Sequence, residues 1–334
     1  MRTPRLAPVL PVCLGASLFA LLVWKVGARR LLGDVGAAGW GLLLPVAIGG
    51  MSHAVRTLAW RLTLPGDCRP IPFWRLMGLR LIGEAGGQFG ITGQLAGESA
   101  RVWLISPVVP VPRGASSVAL DRGMFAIGGA ILTVLGVVLA LLTQPIPHAL
   151  FAFFGLLAAG LTAFLGSMAL ALHQEWPLLS APSRLLQRFR VTKGFAGGWQ
   201  EAIRRVERTL FSFHRESPAA FWCSFALQLI AHGFAVAEVY SILWLLGKEP
   251  SVLLAFLIEA LTKVVNLAGS FVPANIGTYE GGNMLILATF GLRGSTGLTL
   301  AVIRRLRALF WSALGLAYLA AFRMPSRRQR QSGE

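Results

Sequence analysis

The chain has 334 residues, of which 55% are hydrophobic and only 13% are charged, whereas soluble domains carry roughly 25% charged residues. This composition excludes an ordinary soluble enzyme or binding domain. The net charge of +17 would indicate nucleic acid as the partner of a soluble protein. Here the basic residues lie beside long apolar runs, as the positive-inside rule expects of a membrane protein. We therefore expect membrane lipids, and no nucleic acid, as partners.

Apolar runs of about 20 residues, the length that crosses a bilayer as a helix, recur along the chain. In chain order, spans are predicted near residues 6–24, 37–59, 118–143, 149–172, 218–246, 251–269 and 296–322. Two interrupted segments, near residues 82–105 and 269–292, lie among them. The sequence thus predicts an all-α polytopic membrane protein, residues 1–334 forming one transmembrane domain with about six to eight spanning helices. Its two glycine-broken segments are expected to be re-entrant or discontinuous.

The segments between the spans predict how the chain meets the membrane surface. Residues 61–80 are basic and are expected at the interface, and residues 173–217 form a cytoplasmic stretch. A helical apolar face in this stretch predicts a helix on the membrane surface, or a soluble helix packed on loops; it consists of Trp199, Ile203, Val206, Leu210 and Phe213. The arginines of residues 323–334 predict a basic cytoplasmic tail. The expected location is the inner (plasma) membrane.

Two glycine-rich stretches interrupt the spans, and each contains a glutamate. The first covers residues 86–101 and contains Glu98. The second, residues 269–283, contains Pro273, Asn275, Gly277 and Glu280. Unwound backbone at membrane depth is tolerated only where protein buries it or a wet cavity solvates it. Two such segments in separate parts of a chain indicate the binding site of a transporter, and this pairing is the main indication of function.

Ionisable side chains at membrane depth mark functional sites by default. Glu98 is expected where a helix restarts, so it either satisfies free amides or forms with Arg101 an anion site suited to a lipid phosphate. Glu280 is either bridged to a nearby basic residue, or it binds a head group or carries a proton. Both interpretations of each glutamate stay open.

Three arginines of the last predicted helix extend this pattern. Arg304 and Arg307 share a helical face, whereas Arg305 points elsewhere. Together they predict a counter-charge inside the membrane, for Glu280 or for the substrate. The interval from Glu280 to Arg304 is 24 residues, the same as the interval from Glu98 to Arg122, which is consistent with a repeat of the two halves.

Few residues suggest catalysis. Glu259 and Lys263 stand four residues apart and are expected to neutralise each other. The three cysteines are unclustered, the five histidines lack metal-ligand spacing, and no GxxxxGK[ST] loop is present. We therefore expect no cofactor, no metal and no enzyme activity, with movement of a substrate downhill, ion-coupled or driven by a partner.

The chain resembles the lysylphosphatidylglycerol synthase transmembrane-region family, also described as flippase-like membrane proteins. The resemblance rests on residues 97–101 (Gly-Glu-Ser-Ala-Arg), on residues 273–282 and on the order of the spans around them. A proline expected shortly before residue 97 is missing. In the best-known members this region is fused to a soluble aminoacyltransferase domain that makes the lipid. This chain stops at Glu334, soon after its last span, so the resemblance implies the translocating part alone.

We therefore expect a lipid translocase that moves an anionic or amphiphilic lipid between leaflets. Its candidate binding or coupling residues are Glu98, Arg101, Pro273, Asn275, Gly277, Glu280, Arg304 and Arg305. One alternative is a membrane scaffold that docks a lipid-modifying enzyme through residues 184–216. The other is a membrane-embedded lipid transferase or hydrolase in which Glu98 and Glu280 act as acid and base.

Overall fold

The computed structural model describes residues 20–24, 27–64, 66, 71–88, 90–143, 148–174, 208–209, 211–272 and 275–321. Within these ranges the ordered elements are helices and no strand occurs. The α-helices are α1 (Ala28–Ala38), α2 (Leu43–Thr63), α3 (Phe73–Gly87), α4 (Gly90–Ile105), α5 (Val111–Thr143), α6 (His148–Gln174), α7 (Pro218–Leu245), α8 (Val252–Ala268), α9 (Thr278–Thr289) and α10 (Gly294–Ala321). Short 3₁₀ helices cover Gly39–Leu42 and Gly269–Phe271. The predicted all-α membrane fold is confirmed.

Four helical segments of the described ranges are long and apolar enough to cross a membrane. They are Leu31–Thr63, Val111–Thr143, Phe151–Gln174 and Pro218–Leu245, and each coincides with a predicted span. Large apolar side chains on their outer faces, such as Leu142, Leu156 and Trp222, are exposed, which is the arrangement that lipid favours. The predicted span at residues 6–24, the surface helix of residues 184–216 and the tail at 323–334 lie wholly or mostly outside the described residues.

The first glycine-rich stretch breaks the chain only briefly. Helix α3 ends at Gly87 and α4 begins at Gly90, so most of the glycines are helical. An added Cβ at Gly97 would lie 2.5 Å from the carbonyl oxygen of Gly83, and one at Gly86 would lie 2.8 Å from the Cα of Gly97. These glycines therefore let α3 and α4 pack closely. The prediction that a helix restarts at Glu98 is wrong, since Glu98 lies inside α4.

The second glycine-rich stretch is a longer interruption, as predicted. Helix α8 ends at Ala268, and α9 does not begin until Thr278. Between them Asn275 has φ 51° and Gly277 has φ 80°, left-handed conformations that asparagine and glycine adopt most readily. Pro273 lies outside the described residues. The chain therefore turns sharply here before α9 resumes.

Helices α2–α5 and helices α7–α10 form two halves, in each of which consecutive helices pack on one another. One apolar core surrounds Leu79 in the first half, and the other surrounds Ile258 in the second half and also contains Val137 of α5 and Ala158 of α6. The most extensive helix interface joins α2 to α7, and α3 packs on α10 as α8 packs on α5. At the α2–α7 interface Ser52 Oγ lies 3.5 Å from the carbonyl oxygen of Ala231, and Ser224 lies against Ala59. Helices α2 and α7 are therefore antiparallel.

A constant residue offset relates the two halves. Four pairs of positions are separated by 179 residues: Ser52 and Ala231, His53 and His232, Leu81 and Ala260, and Gly136 and Gly315. Gly136 packs on Ala260, and Gly315 packs on Leu81, so a contact between α5 and α8 has its counterpart between α10 and α3. Antiparallel packing of equivalent helices across a two-fold axis defines an inverted-topology repeat, the architecture of many transporters.

Candidate functional site

Two adjoining cavities lie between the broken segments. The first, of about 380 Å³, has side chains from both breaks and from α10 in its wall: Gln88, Gln94, Asn266, Asn275, Arg304 and Arg305. The second, of about 330 Å³, shares Gln88, Asn266, Arg304 and Arg307 with the first. It reaches the α2–α7 interface, where Ser52, His53, Ala231 and His232 line it. Because these four positions are equivalent in pairs, the second cavity lies on the two-fold axis of the repeat.

A network of ionic side chains joins α2, α3, α4 and α5, and is called here the first network. It consists of Arg56, Arg80, Glu84, Glu98, Arg101, Asp121 and Arg122. At its centre Nη2 of Arg80 donates to both carboxylate oxygens of Asp121, at 2.7 and 2.8 Å. Arg101 and Gln228 also donate to Asp121, at 3.2 and 2.8 Å. All of these groups are buried, so the centre of the first network is sealed by its own contacts.

The predicted pair Glu98 and Arg101 lies at the edge of this centre. Their side chains form an ion pair at 2.6 Å, and Glu98 also contacts Arg122, the residue 24 positions later. The guanidinium of Arg101 lies 4.1 Å from the ring centroid of Trp60 and only 1% of its side chain is exposed. The structure therefore brings Glu98 and Arg101 together, but protein rather than an open cavity surrounds Arg101.

Ionic side chains of α7, α8, α9 and α10 are together called the second network. Ion pairs connect five of them, Glu238, Glu259, Lys263, Arg304 and Arg307, and Glu280 and Arg305 form a separate pair. The predicted pair of Glu259 and Lys263 is confirmed, with 3.0 Å between their charged atoms. Glu259 also contacts Arg304, at 2.9 Å. Glu238 lies 2.7 Å from Arg307 and 3.6 Å from Arg304. Arg304 and Arg307 thus share one face, as predicted.

Glu280 holds the second break together. Its side chain is fully buried, and its Oε2 accepts the backbone N–H of Gly277 at 2.7 Å, at the start of α9. Its Oε1 contacts Arg305, which also donates to the carbonyl oxygen of Asn275 at 3.2 Å. Of the two predicted roles, the structure shows the bridge to a basic residue. The partner is Arg305, one of the three arginines of the last helix that were predicted as a counter-charge for Glu280 or for the substrate.

The two networks have similar charges, but they differ in where those charges face. Each contains four basic and three acidic side chains. Arg304, Arg305 and Arg307 of the second network line the first cavity, whereas Arg56 and Glu84 of the first network border only the second cavity. Nη1 of the buried Arg304 has no hydrogen-bond partner among the described residues. Oδ1 of Asn275 is likewise buried without a partner in this part of the chain. Arg304 and Asn275, which carry these two atoms, both line the first cavity.

Several polar residues of the site were not singled out from the sequence. Arg80, expected at the interface, is fully buried beside Asp121, so that expectation is wrong. Arg80 and Glu84 stand four residues apart, and positions 179 residues later hold Glu259 and Lys263, with the order of charges reversed. The four-residue spacing within each of these two pairs was the sequence feature from which Arg80 and Glu84 could have been identified. Within the described ranges, no group of three or more histidine, cysteine, aspartate or glutamate residues could hold a metal.

A comparison with protein-family profiles identifies the family of this chain. The profile of the family described as "Lysylphosphatidylglycerol synthase TM region" matches residues 9–315, and the chain belongs to this family. The match covers most of the chain and indicates a membrane protein of lipid metabolism. Searches of curated proteins and of solved structures found no match.

Proposed function

We propose that this member of the lysylphosphatidylglycerol synthase TM region family is a lipid translocase, which moves an anionic or amphiphilic lipid between the leaflets of the inner membrane. The position of the first cavity carries the proposal. It lies between both broken segments of an inverted repeat, and three arginines line it. In transporters built from inverted repeats, substrate sites lie at the repeat interface beside discontinuous helices.

The charge of the cavity fits a phosphate. Arg304, Arg305 and Arg307 present guanidinium groups, whose forked N–H donors match phosphate oxygens in pairs. Arg304 is the best placed of the three, because its Nη1 is already desolvated and has no partner among the described residues. A phosphate there gains a charge-assisted hydrogen bond without a further cost of burying the arginine.

The cavity also supplies hydrogen-bond partners, which a head group lacks in hydrocarbon. Transfer of a charged or polar group into an apolar medium is costly unless hydrogen bonds replace those of water. The amide side chains of Gln88, Gln94 and Asn266 line the same cavity as the arginines and can replace such hydrogen bonds. A lipid can then pass with its head group in the polar cavity and its acyl chains in the bilayer.

A leaflet-exchange assay tests the proposal. Purified protein is reconstituted in liposomes that contain fluorescent phosphatidylglycerol, and dithionite bleaches the label in the outer leaflet. Wild-type protein is expected to make the inner-leaflet label accessible, whereas protein-free liposomes keep it protected. Arg304→Gln is expected to slow exchange about tenfold, which corresponds to the loss of about 1.4 kcal/mol of phosphate binding in the rate-limiting state.

The matched control is Arg293→Gln, since Arg293 is an exposed arginine directly before α10. It changes the charge by the same amount outside the first cavity and is expected to leave the rate unchanged. Wild-type protein that exposes no inner-leaflet label would contradict the proposal. Lipid that is covalently altered in the same vesicles, detected by mass spectrometry, would support the transferase or hydrolase instead.

A further inference from the structure

We infer that the first cavity selects lipids whose phosphate carries an uncharged, hydroxyl-bearing group, and that it discriminates against head groups with an ammonium. This inference rests on the proposed function and names the class of its substrate. It follows from three features of the cavity: the arginines on one helix, the amide side chains from both breaks, and the commitment of every nearby carboxylate to a basic partner.

The amide side chains favour hydroxyl groups. Gln88 lies in the first break and Gln94 in the first turns of α4, whereas Asn266 lies near the end of α8 and Asn275 in the second break. A primary amide both donates and accepts hydrogen bonds, and so does a hydroxyl group. Each hydroxyl of a polyol or a sugar can therefore be matched in either direction. A wall of four amides is more than a phosphate alone requires.

One acceptor in this wall is already positioned. Nδ2 of Asn275 donates to Oδ1 of Asn266 at 3.1 Å, which fixes the orientation of the Asn275 amide. Oδ1 of Asn275 is then left buried, without a hydrogen-bond partner among the described residues. This oxygen lies beside Gly269, where an added Cβ would be 2.6 Å from it, so the Asn275 amide is held in place as part of the cavity wall.

The carboxylates near the cavities are already engaged. The described wall of the first cavity contains no aspartate or glutamate. In the second cavity Glu84, Glu238 and Glu259 each lie within 2.9 Å of an arginine nitrogen. Glu280 is fully buried against Arg305. No carboxylate in this part of the structure is uncommitted.

An ammonium would therefore meet like charge. A head group with a free amine would place its cation beside Arg304, Arg305 and Arg307, where the low dielectric of a partly enclosed cavity strengthens repulsion. It could gain an anionic partner only by displacing an arginine from a buried ion pair. A glycerol or inositol group on the phosphate has neither cost and keeps the hydrogen bonds to the amides.

Lipids with matched acyl chains and a fluorescent label test this selectivity in the same proteoliposomes. The probes are phosphatidylglycerol and phosphatidylinositol, which carry hydroxyl groups, phosphatidic acid, which carries the phosphate alone, and lysylphosphatidylglycerol, which carries ammonium groups. We expect the two hydroxyl-bearing lipids to exchange fastest and phosphatidic acid more slowly. Lysylphosphatidylglycerol is expected to exchange at least about tenfold more slowly than phosphatidylglycerol, the ratio produced by one unfavourable interaction of about 1.4 kcal/mol.

A variant separates amide recognition from general effects on the fold. Gln94→Met keeps the length of the side chain and removes its hydrogen bonds, and Gln94 is exposed to the cavity. We expect it to slow phosphatidylglycerol about threefold more than it slows phosphatidic acid. Gln174→Met, at the exposed end of α6, is the matched control and is expected to alter neither rate.

The outcomes distinguish the inference from the proposed function. If lysylphosphatidylglycerol exchanges as fast as phosphatidylglycerol or faster, the selectivity is wrong although translocation stands. Equal slowing of both anionic lipids by Gln94→Met would overturn the role of the amide wall. If none of the four lipids moves, the proposed function fails and this inference fails with it.

Discussion

Replacement of Glu280 with glutamine tests whether charge holds the second break in place. The Glu280 carboxylate accepts the Gly277 N–H at 2.7 Å and contacts Arg305. Glutamine keeps an oxygen that can accept the N–H of Gly277, and its size is nearly the same. It cannot neutralise Arg305. The substitution therefore isolates the charge of the pair from its shape and from the capping of α9.

The magnitude follows from the exposure of the two partners. Loss of one member of a fully buried ion pair costs about 3–5 kcal/mol. Glu280 is fully buried, but 28% of the Arg305 side chain is exposed, and it lines the first cavity, where water can solvate it. We therefore expect Glu280→Gln to lower the free energy of unfolding by about 1.5–3 kcal/mol, the range for hydrogen bonds to charged groups.

Reversible unfolding with sodium dodecyl sulfate in mixed micelles measures this cost. Glu249→Gln is the control, because Glu249 is exposed in the turn between α7 and α8 and surface substitutions change stability by less than about 0.5 kcal/mol. The double variant Glu280→Gln/Arg305→Gln leaves no unpaired charge, so its cost is expected to be smaller than the sum of the single costs. Strictly additive costs, or a Glu280→Gln effect no larger than that of the control, would refute the reasoning.

Two further predictions concern the first network and the repeat. Asp121→Asn leaves two buried arginines without their shared carboxylate and is expected to lower the free energy of unfolding by about 3–5 kcal/mol in the same titration; a loss below about 1 kcal/mol would contradict a buried ion-pair role. Alanine at Gly136 or Gly315 places a methyl group inside a helix contact and is expected to cost about 1–3 kcal/mol, although alanine favours a helix by about 1 kcal/mol. Gly233→Ala, whose added Cβ meets no atom within 4 Å, is expected to be neutral or stabilising, and equal losses at all three glycines would refute close packing as the cause.

The helices were predictable from the sequence because membrane spans are selected by local hydrophobicity and length. The nature of the first break was not predictable from the sequence. A glycine can mark unwound backbone or the close approach of two helices, since both require the absence of a Cβ. In this fold Gly97 packs against Gly83, on another helix, so the choice depended on a contact that local sequence does not contain.

The candidate site was predictable in its residues but not in its pairings. Glu280 and the arginines of α10 were identified from the cost of charge in a membrane. The sequence left open which of the three arginines pairs with Glu280, because one residue turns a side chain by about 100° around a helix and the break sets where α9 begins. Arg80 was missed for a different reason. Its partner Asp121 lies 41 residues away along the chain. A contact between residues so far apart in sequence, and the burial of Arg80 that goes with it, depend on tertiary packing.

Exposure, rather than charge, separates the roles of the two halves. Both networks hold four basic and three acidic side chains, yet Arg101 of the first network is 1% exposed and already shared between Glu98 and Asp121. An arginine can bind a phosphate only where its guanidinium borders a space that the phosphate can enter. In this conformation Arg101 and Glu98 therefore belong to the framework that holds α4 against α5. Arg304 and Arg305, which line the cavity beside the second break, are the residues that a head group can reach.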